Sequence, residues 1–316
     1  MLRQTKKRLE DSLGIKIGQI GAGVADIQEI TVATVQTLSK NIKEYAPYLR
    51  SVRLCIFDET HKVAAKSYLK ISRQLIGSEY RLGISGTAYR DDGNDMMINA
   101  ATGSKIFDLS SKILIEKGWL VKPTIIFYKD FINDDVVKEQ EESMKEGLIN
   151  ETEKYASYYK RFIVHNDNRN ELIRNIVTDN KGKKILILVK LIEHGQLLEN
   201  SILDSKYLHG TTNKKEREEM VDSFKNGKLN ILISTISIFS EGIDIPPLDI
   251  VINAAANKGN VKTIQVLGRV LRILEGKTNA QYIDFVDVTR FFKSASNSRI
   301  KALRKEEHDV ETKTYK

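Results

Sequence analysis

Short apolar runs rich in β-branched residues alternate with amphipathic stretches in the first half of the chain. The runs that are typical of strands are ITVATV (30–35), LCIF (54–57), LGIS (82–85) and TIIFY (124–128). Residues 36–50 and 63–80, which lie between these runs, have the apolar spacing and the length of helices. This alternation predicts βα units on a parallel sheet.

The second half of the chain repeats the same pattern. Its predicted strands are KILILV (184–189), LNILIST (229–235), LDIVIN (248–253) and QYIDFV (281–286). We therefore predict an α/β protein with two parallel-sheet domains, the first at residues 1–127 and the second at residues 166–316. At 316 residues with 41% apolar content, the chain is long enough for each domain to have its own core.

The segment between these domains, residues 128–165, is predicted to be a charged helical linker. Residues 131–160 are rich in Asp, Glu and Lys and lack a sustained apolar run. Tyr155, Tyr158 and Tyr159 follow one another at helical spacing, which favours a helix that packs on its own domain. Stacking of these rings on nucleic-acid bases is the alternative interpretation.

The net charge and the number of cysteines indicate which partner and which cellular compartment to expect. The chain has 50 Lys and Arg against 42 Asp and Glu, a net charge of +8 and a pI near 9.2, which favours a polyanionic partner such as nucleic acid without requiring one. Because Cys55 is the one cysteine, an intramolecular disulfide is excluded, and its apolar neighbours predict a buried thiol in a reducing compartment. The N-terminal MLRQTKKRLE is polar and no run has the length of a membrane span, which predicts a soluble, intracellular (cytoplasmic) protein.

Two carboxylates follow directly on the predicted strand LCIF, in the segment FDETH (57–61). The carboxyl ends of parallel strands border the crevice where open α/β sheets bind ligands. Asp58 could there hold the magnesium ion of a nucleotide, and Glu59 could orient or deprotonate an attacking water. For an isolated Asp-Glu pair, capping of the next helix is the more common role, and it stays open at this point.

Two further segments run from a predicted strand into a loop. GISGTAYRDDG (83–93) contains Ser85 and Thr87, and a loop of this kind can sense what occupies a cleft. TISIFSEGIDIP (235–246) places acidic residues and a glycine in a tight loop after a buried strand. GISGTAYRDDG is an ordinary turn when taken alone, and TISIFSEGIDIP is by itself a weak to moderate signal.

A fourth segment, QVLGRVLR (265–272), places Arg269 and Arg272 three apart on one predicted helical face. Guanidinium groups presented in this way suit a γ-phosphate on which charge builds up during transfer, although a surface pair bridging to acids is the commoner role. The four segments, in this order across two α/β domains, resemble motifs II, III, V and VI of the superfamily-2 helicases.

The resemblance is closest to the branch that contains the XPB-type helicases and the UvsW-type phage repair helicases, and it extends from about residue 2 to about residue 290. The stretches that carry it are YRDDG (89–93), LIEKGWLVKP (114–123) and LHGTTNKKEREEMVDSF (208–224). It implies two RecA-like parallel-sheet domains in tandem, the P-loop NTPase helicase core, with the first domain incomplete.

The resemblance implies that some residues form a nucleotide site and that others form a nucleic-acid site. Asp58 and Glu59 match the acids that serve ATP and its Mg²⁺, with Asp58 as the metal ligand, and His61 matches the residue that couples this site to the second domain. The other nucleotide-site residues are Ser85, Thr87, Gly242, Asp244, Gln265, Arg269 and Arg272. The residues at strand-contacting positions, expected to bind mainly phosphates, are Thr34, Gln36, Thr37, Arg90, His209, Gly210 and Thr235.

The sequence departs from the pattern of the family at several places. DETH stands where DEAH or DECH is commoner, and SGT replaces SAT, changes between small residues that are expected to leave the mechanism intact. More seriously, the 316 residues contain no GxxxxGK[ST] loop, whose amides and lysine hold the phosphates of ATP. Gly276-Lys277-Thr278 has Leu271 where the first glycine should stand and precedes a strand, so we predict a connecting turn.

The chain opens on LRQTKKRLEDSLG, which is similar to the tail of motif Ia. We therefore expect an N-terminally shortened version of the family: a fragment, a split gene or a natural remnant. On its own, this chain is expected to be inactive as an ATPase.

The resemblance implies an ATP-dependent DNA helicase or translocase that acts in DNA repair, recombination or replication. Its expected cofactors are ATP and Mg²⁺, its expected partner is nucleic acid, DNA rather than RNA, and the nucleoid or a phage-infected cell is an expected location. Two alternatives stay open. The chain could be an ATP-independent nucleic-acid-binding or annealing protein, or a subunit whose phosphate loop comes from another polypeptide.

Overall fold

The computed structural model of the protein describes residues 2–60, 66–86, 95–129, 138–139, 142, 150–240, 248–273, 277 and 279–315. The chain divides into two compact units, Met1–Asp108 and Leu109–Lys316. Among the helices in the described ranges, none is both long and apolar enough to cross a bilayer.

The first unit contains two small sheets with helices between their strands. Its elements are α1 (Leu2–Leu13), β1 (Gly18–Gly21), β2 (Val24–Asp26), β3 (Thr31–Ala33), α2 (Val35–Lys40), α3 (Ile42–Ser51), β4 (Leu54–Asp58), α4 (Lys66–Ser72), β5 (Tyr80–Ile84) and α5 (Asp95–Thr102). β1 pairs antiparallel with β2 and parallel with β3, and β4 pairs parallel with β5. The parallel arrangement predicted for LCIF and LGIS is therefore present.

One face of the β4–β5 sheet is packed and the other is exposed. Phe57 of β4 is buried in a cluster with Leu38 and Leu49, which come from α2 and α3. On the other face, the alternating apolar residues of both strands keep large exposed fractions: Leu54 51%, Ile56 55%, Tyr80 63%, Leu82 39% and Ile84 53%. The strand register sets these residues beside one another, so they form a continuous apolar surface, here called the open face. Parallel sheets normally have both faces covered.

The second unit is built on a seven-stranded sheet. Its elements are α6 (Ser111–Glu116), β6 (Pro123–Lys129), α7 (Glu151–Tyr159), a π-helical segment (Lys160–Val164), α8 (Asp167–Asp179), β7 (Ile185–Val189), α9 (Ile192–Ser201), β8 (Ser205–Leu208), α10 (Lys214–Lys225), β9 (Ile231–Thr235), α11 (Ile236–Ser240), β10 (Ile250–Asn253), α12 (Asn260–Val270), β11 (Ala280–Val286), α13 (Lys293–Lys305) and β12 (Val310–Thr314). The strand order is β12-β6-β11-β10-β7-β9-β8, and every neighbouring pair is parallel. The interior strand β7 is buried along its whole length, as expected for a sheet covered on both faces.

The division between the units differs from the predicted one. We expected TIIFY at the end of a first domain spanning 1–127, but β6 pairs with β11 and β12 in the second sheet, and the first unit ends at Asp108. Ile125, Ile126 and Phe127 are buried there, because the strand is fully inside the second sheet. A buried parallel strand has the same sequence pattern in either domain, so only its partner decides where it belongs.

The tyrosine helix of the predicted linker packs on the second unit. Tyr158 and Tyr159 are buried, and the Tyr159 hydroxyl donates a hydrogen bond to the Ala255 carbonyl at 2.9 Å. The Tyr159 and Phe292 rings lie edge to face with their centroids 5.7 Å apart. Packing within the domain is therefore confirmed over base stacking for these rings. Residues 130–137, 140–141 and 143–149 of the predicted linker lie outside the described part of the chain.

Candidate functional site

The two carboxylates of FDETH lie where β4 ends. Asp58 is the last residue of the strand and is exposed, and Glu59 follows it with φ at +54°, in the left-handed region that a non-glycine residue seldom adopts. The Glu59 N–H donates a hydrogen bond to Asp58 Oδ1 at 2.9 Å. A strained turn that displays two acids at a strand end is typical of functional sites.

Thr60 ties this turn to the neighbouring strand. Its side chain is buried, and its hydroxyl lies 2.8 Å from the Ile84 carbonyl at the end of β5 and 3.3 Å from the Phe57 carbonyl. A Cβ atom at Gly83 would lie 2.7 Å from both the Oγ1 and the Cγ2 of Thr60, so only glycine fits beside this threonine. The prediction that threonine in DETH is a neutral replacement did not include this connection, although the glycine in LGIS was a signal for it.

Tyr68 of α4 is a second residue near the acids that sequence reasoning missed. Burial raises the pKa of its phenol, and the negative charges of Asp58 and Glu59 raise it further. Its ring centroid lies 6.2 Å from that of Phe57, under the same strand end. Two carboxylates at one turn concentrate negative charge at this place, where a cation would be stabilised.

The expected magnesium ion fits the chemistry of this donor set. Mg²⁺ in nucleotide sites commonly takes one or two protein carboxylates and completes its shell with waters and phosphate oxygens. Asp58 supplies one exposed carboxylate at the end of a parallel strand, where ligands of such sheets bind.

Several predicted residues lie outside the described part of the chain. They are His61, Thr87, Arg90, Gly242 and Asp244. Ser85 is described and directly follows β5, where its side chain is partly buried.

The predicted nucleic-acid residues of the first unit come together at the start of α2. Thr34 is the N-cap residue of this helix, and its hydroxyl donates to Thr37 Oγ1 at 2.8 Å. The Thr34 N–H donates to the Ile20 carbonyl at 3.0 Å, which fixes the helix start to β1. Gln36 is exposed beside them. The two hydroxyls and the amide therefore share one end of a short helix.

In the second unit, the predicted nucleic-acid residues lie at the ends of two neighbouring strands. Leu208, the last residue of β8, pairs with Ser234 of β9, so His209 directly after β8 and Thr235 at the end of β9 occupy the next positions. His209 Nδ1 lies 2.7 Å from the Thr211 hydroxyl, and Gly210 is exposed. Thr235 is buried, and its hydroxyl accepts a hydrogen bond from Ser237 at 3.3 Å. His209 and Gly210 are thus more accessible than Thr235.

The predicted arginine pair is divided between a helix and the segment after it. Gln265 and Arg269 lie on α12, which ends at Val270, whereas Arg272 lies beyond it and forms an antiparallel bridge with Leu120. The prediction that Arg269 and Arg272 share one helical face was therefore wrong, because the helix stops before the second arginine. Arg272 is exposed.

Arg269 has a structural contact that the sequence did not indicate. Its guanidinium donates to the Phe239 carbonyl at 2.9 Å and lies 4.2 Å from the centroid of the Phe239 ring. It therefore holds the end of α11, the helix that forms the first part of the segment TISIFSEGIDIP. The guanidinium of Arg272 makes no comparable contact with a carbonyl or a ring in the described part of the chain. Arg272 is therefore the better candidate for a phosphate ligand.

Lys277, from the sequence that superficially resembles a phosphate loop, caps α12. Its ammonium group donates to the Val270 carbonyl and, at 3.2 Å, to the Arg272 carbonyl. Burial lowers the pKa of Lys277. A lysine at a helix C-terminus satisfies carbonyls that have no partner within the helix, so this residue serves the connection between α12 and β11.

A buried ion cluster supports the loop before α12 and was not visible in the sequence. Arg299 of α13 makes two hydrogen bonds to Asp284, at 2.8 and 2.9 Å, and donates to the Asn257 carbonyl at 2.7 Å. Arg169 of α8 pairs with Asp287 at 2.8 Å, and both arginines are fully buried. Burial alone would lower the pKa of Arg299, but the charges of Asp284 and Asp287 outweigh it and raise the pKa. The cluster joins α8, the end of β11 and α13 to the loop before α12.

Two family models match this chain, one in each half. The helicase conserved C-terminal domain matches residues 168–274, and the res subunit of type III restriction enzymes matches residues 1–90. The provisionally named mitochondrial ATP-dependent helicase irc3 of Schizosaccharomyces pombe is 29% identical over 88% of this chain and 45% of its own length. The DNA 3'-5' translocase XPB2 of Sulfurisphaera tokodaii is 24% identical over 86% of this chain and 67% of its own. The chain spans about half the length of irc3.

Solved structures share the fold. Dbp5 of Saccharomyces cerevisiae, bound to RNA and ADP BeF3, matches with a TM-score of 0.61 at 15% identity, over 99% of this chain and 74% of Dbp5. A fragment of a provisionally named HsdR subunit of a type I restriction enzyme from Vibrio vulnificus matches with a TM-score of 0.67 at 17% identity, over 94% of this chain and 54% of the fragment. The predicted tandem of RecA-like α/β domains is confirmed. Family models, relatives and fold agree that the chain belongs to the superfamily-2 helicases.

Proposed function

We propose that this chain is the motor core of an ATP-dependent DNA helicase or translocase that acts in DNA repair, recombination or replication. The observation that supports it most is the end of β4, where Asp58 and Glu59 follow a parallel strand and Thr60 fixes their turn to β5. Because the chain spans about half the length of irc3, the activity of the whole protein is part of the proposal.

The chemistry assigned to the nucleotide site uses two kinds of charge. Asp58 would hold Mg²⁺, which when bound neutralises phosphate charge, and Glu59 would orient the attacking water and accept its proton. Arg272, exposed beyond the end of α12, would stabilise charge on the transferred phosphoryl group. Arg269 would position the segment after α11 through its contact with the Phe239 carbonyl.

The nucleic-acid contacts assigned to the chain use donors that suit phosphate oxygens. Thr34, Gln36 and Thr37 present hydroxyl and amide groups at the start of α2, and His209 presents an imidazole after β8. Such contacts carry little base preference, so we propose binding that is indifferent to sequence. DNA is the proposed substrate because XPB2, a relative in sequence, is named a DNA translocase. RNA is the alternative, because Dbp5, which is similar in fold, was solved with RNA.

A second candidate is a subunit whose phosphate loop is supplied by another polypeptide. Two observations favour it: the 316 residues contain no GxxxxGK[ST], and the open face of the β4–β5 sheet leaves Leu54, Ile56 and Ile84 about half exposed. In this arrangement, a segment that carries the loop would cover the open face. The ATPase of the chain alone would then be negligible.

The experiment compares the chain with a fusion that adds a strand, a GxxxxGK[ST] loop and a helix before Leu2. We expect no ATPase from the chain alone and DNA-stimulated ATPase from the fusion. In the fusion, Glu59→Gln should abolish turnover, and Arg272→Ala should lower it by roughly 10³-fold while DNA binding persists. Arg304→Ala, on an exposed position of α13, is the matched control.

A fusion that binds ATP and DNA but hydrolyses ATP equally well with Glu59→Gln would contradict the proposal. DNA-stimulated turnover by the unfused chain that Glu59→Gln abolishes would contradict the second candidate, because it would show that no added loop is needed. Parallel assays with RNA of the same base sequence decide between the two nucleic acids.

A further inference from the structure

The single tryptophan of the chain lies exposed on the connection between α6 and β6. Trp119 keeps 60% of its surface accessible, and it is the one tryptophan among 316 residues. Tryptophan side chains are highly buried on average, since the indole is large and apolar. An indole left in water on a well-packed unit is therefore suited to receive a flat apolar ligand.

The backbone holds Trp119 in one place. Gly118, at φ +71°, ends α6 in the left-handed conformation, and its N–H donates to the Ile115 carbonyl at 2.9 Å. The Trp119 N–H donates to the Leu114 carbonyl at 2.8 Å, which completes a Schellman motif. Two residues later, the Val121 N–H donates to the Leu271 carbonyl at 2.9 Å. The indole thus extends from a turn that is fixed on both sides.

Two cationic residues lie at this turn. The Lys117 ammonium lies over the indole, 5.2 Å from the ring centroid. Leu120, the residue after Trp119, forms the bridge with Arg272, so the arginine that we assign to phosphate pairs with the backbone next to the tryptophan. An aromatic ring with nearby cations matches the two halves of a nucleotide, because bases stack on aromatic rings and phosphates bind cations.

We propose that Trp119 is a stacking platform for a nucleobase, with Lys117 and Arg272 available to the phosphates attached to that base. The inference rests on the proposed function for the role of Arg272. It adds a base-recognition residue in the second unit, distinct from the acids of β4. The base can come from a free nucleotide or from a nucleic-acid strand, and the same ring chemistry serves both.

Intrinsic fluorescence tests this directly, because Trp119 is the only indole emitter in the chain. The full chain is titrated with ATP, with a 15-nucleotide oligo(dT) and with inorganic triphosphate, which has the charge but no base. We expect saturable quenching by ATP or by the oligonucleotide and none by triphosphate. The ligand that quenches identifies the source of the base.

Affinities of variants for a fluorescently labelled copy of that ligand separate stacking from charge. Trp119→Phe should bind within about twofold of the wild type, whereas Trp119→Ala should bind roughly 5- to 150-fold more weakly, the range expected for loss of one base–aromatic stack. Leu203→Ala, at a position that is 85% exposed in the same unit, controls for loss of an exposed apolar side chain. Circular dichroism checks that each variant is folded.

Failure of the stacking inference can be distinguished from failure of the proposed function. If ATP or DNA binds with unchanged tryptophan emission and Trp119→Ala binds as tightly as the wild type, the stacking inference is overturned while the proposed function stands. Equal quenching by triphosphate would also overturn it, since no base would be involved. If neither ATP nor DNA binds the chain, the stacking inference and the proposed function both fail.

Discussion

Thr60 and Gly83 meet at the carboxyl end of the β4–β5 pair, beside the two acids. Because a Cβ at Gly83 would lie 2.7 Å from the Thr60 side chain, Gly83→Ala should destabilise the first unit by about 1–3 kcal/mol. Thr60→Ala removes one buried hydrogen bond, worth about 1 kcal/mol, and also makes room for the methyl group. The double variant should therefore be more stable than the sum of the two single changes predicts.

Denaturant unfolding followed by far-ultraviolet circular dichroism measures this coupling. Gly86→Ala is the control, because a Cβ at that position would have no heavy atom of the described residues within 4 Å. Additive effects of Gly83→Ala and Thr60→Ala would show that the two residues do not constrain each other.

The buried ion cluster gives a second prediction at the level of residues. Removal of one partner from a buried charge group leaves the remaining charges without compensation, so Arg299→Met should destabilise the second unit by about 3–5 kcal/mol. Arg304→Met, on the exposed side of the same helix, should be nearly neutral. The midpoints of thermal unfolding compare the two variants. Equal midpoints would show that the cluster contributes little to stability.

Residues at strand ends could be predicted from the sequence, whereas residues that act through tertiary contacts could not. Asp58 and Glu59 follow a β-branched run directly, and the structure places them at the end of β4. The helix end between Arg269 and Arg272 was missed, because it depends on Lys277 and on the bridge to Leu120 from another part of the chain. Likewise, Arg299 appears in the sequence as an ordinary surface arginine of an amphipathic helix, and only the fold brings Asp284 to it.

At the level of elements, the open face of the β4–β5 sheet is the most unusual feature. A two-stranded sheet is marginal by itself, and the packed face that contains Phe57 supplies its support. The exposed apolar residues should bind a hydrophobic dye such as ANS while the protein is folded. We expect Ile56→Thr with Leu82→Thr to lower ANS fluorescence strongly, because both residues lie side by side on this face. These β-branched replacements retain strand propensity.

Leu203→Thr is the control for that experiment, because Leu203 is exposed but belongs to the second unit. It should leave most of the dye signal in place. A dye signal that falls equally in both variants would contradict the assignment of the binding surface to the open face.

The long apolar strands were predicted well, and the short ones were not. The eight predicted runs all contain strand residues, since β-branched clusters bounded by polar residues are distinctive. The strands without such a signal are β1, β2, β8 and β12, whose sequences are GQIG, VAD, SKYL and VETKT. Their strand conformation comes from pairing with a neighbour, for example β12 with β6, rather than from local preference.

At the scale of the whole molecule, the number of domains followed from the repeated pattern but the position of the division did not. The charged stretch after residue 130 suggested the division, yet the first unit ends at Asp108, before α6 and β6. Composition marks a change in solvent exposure, whereas a domain boundary is a change in packing partners. β6 lies between β12 and β11, both of which come from the last 37 residues of the 316, those from Ala280 onward.

The net charge of +8 leads to a prediction for the whole chain. Binding to a single-stranded oligonucleotide through about five phosphate contacts should weaken by roughly 100-fold between about 50 and 200 mM salt, because each neutralised phosphate releases counterions. Fluorescence anisotropy of a labelled oligonucleotide measures the dissociation constant across the salt series. Oligo(dT) and a mixed-sequence DNA of the same length should give the same dissociation constant at each salt concentration, since phosphate contacts do not read bases. A dissociation constant that does not change with salt would contradict phosphate-based binding, and dissociation constants that differ between the two DNAs at the same salt concentration would show that base contacts discriminate between sequences.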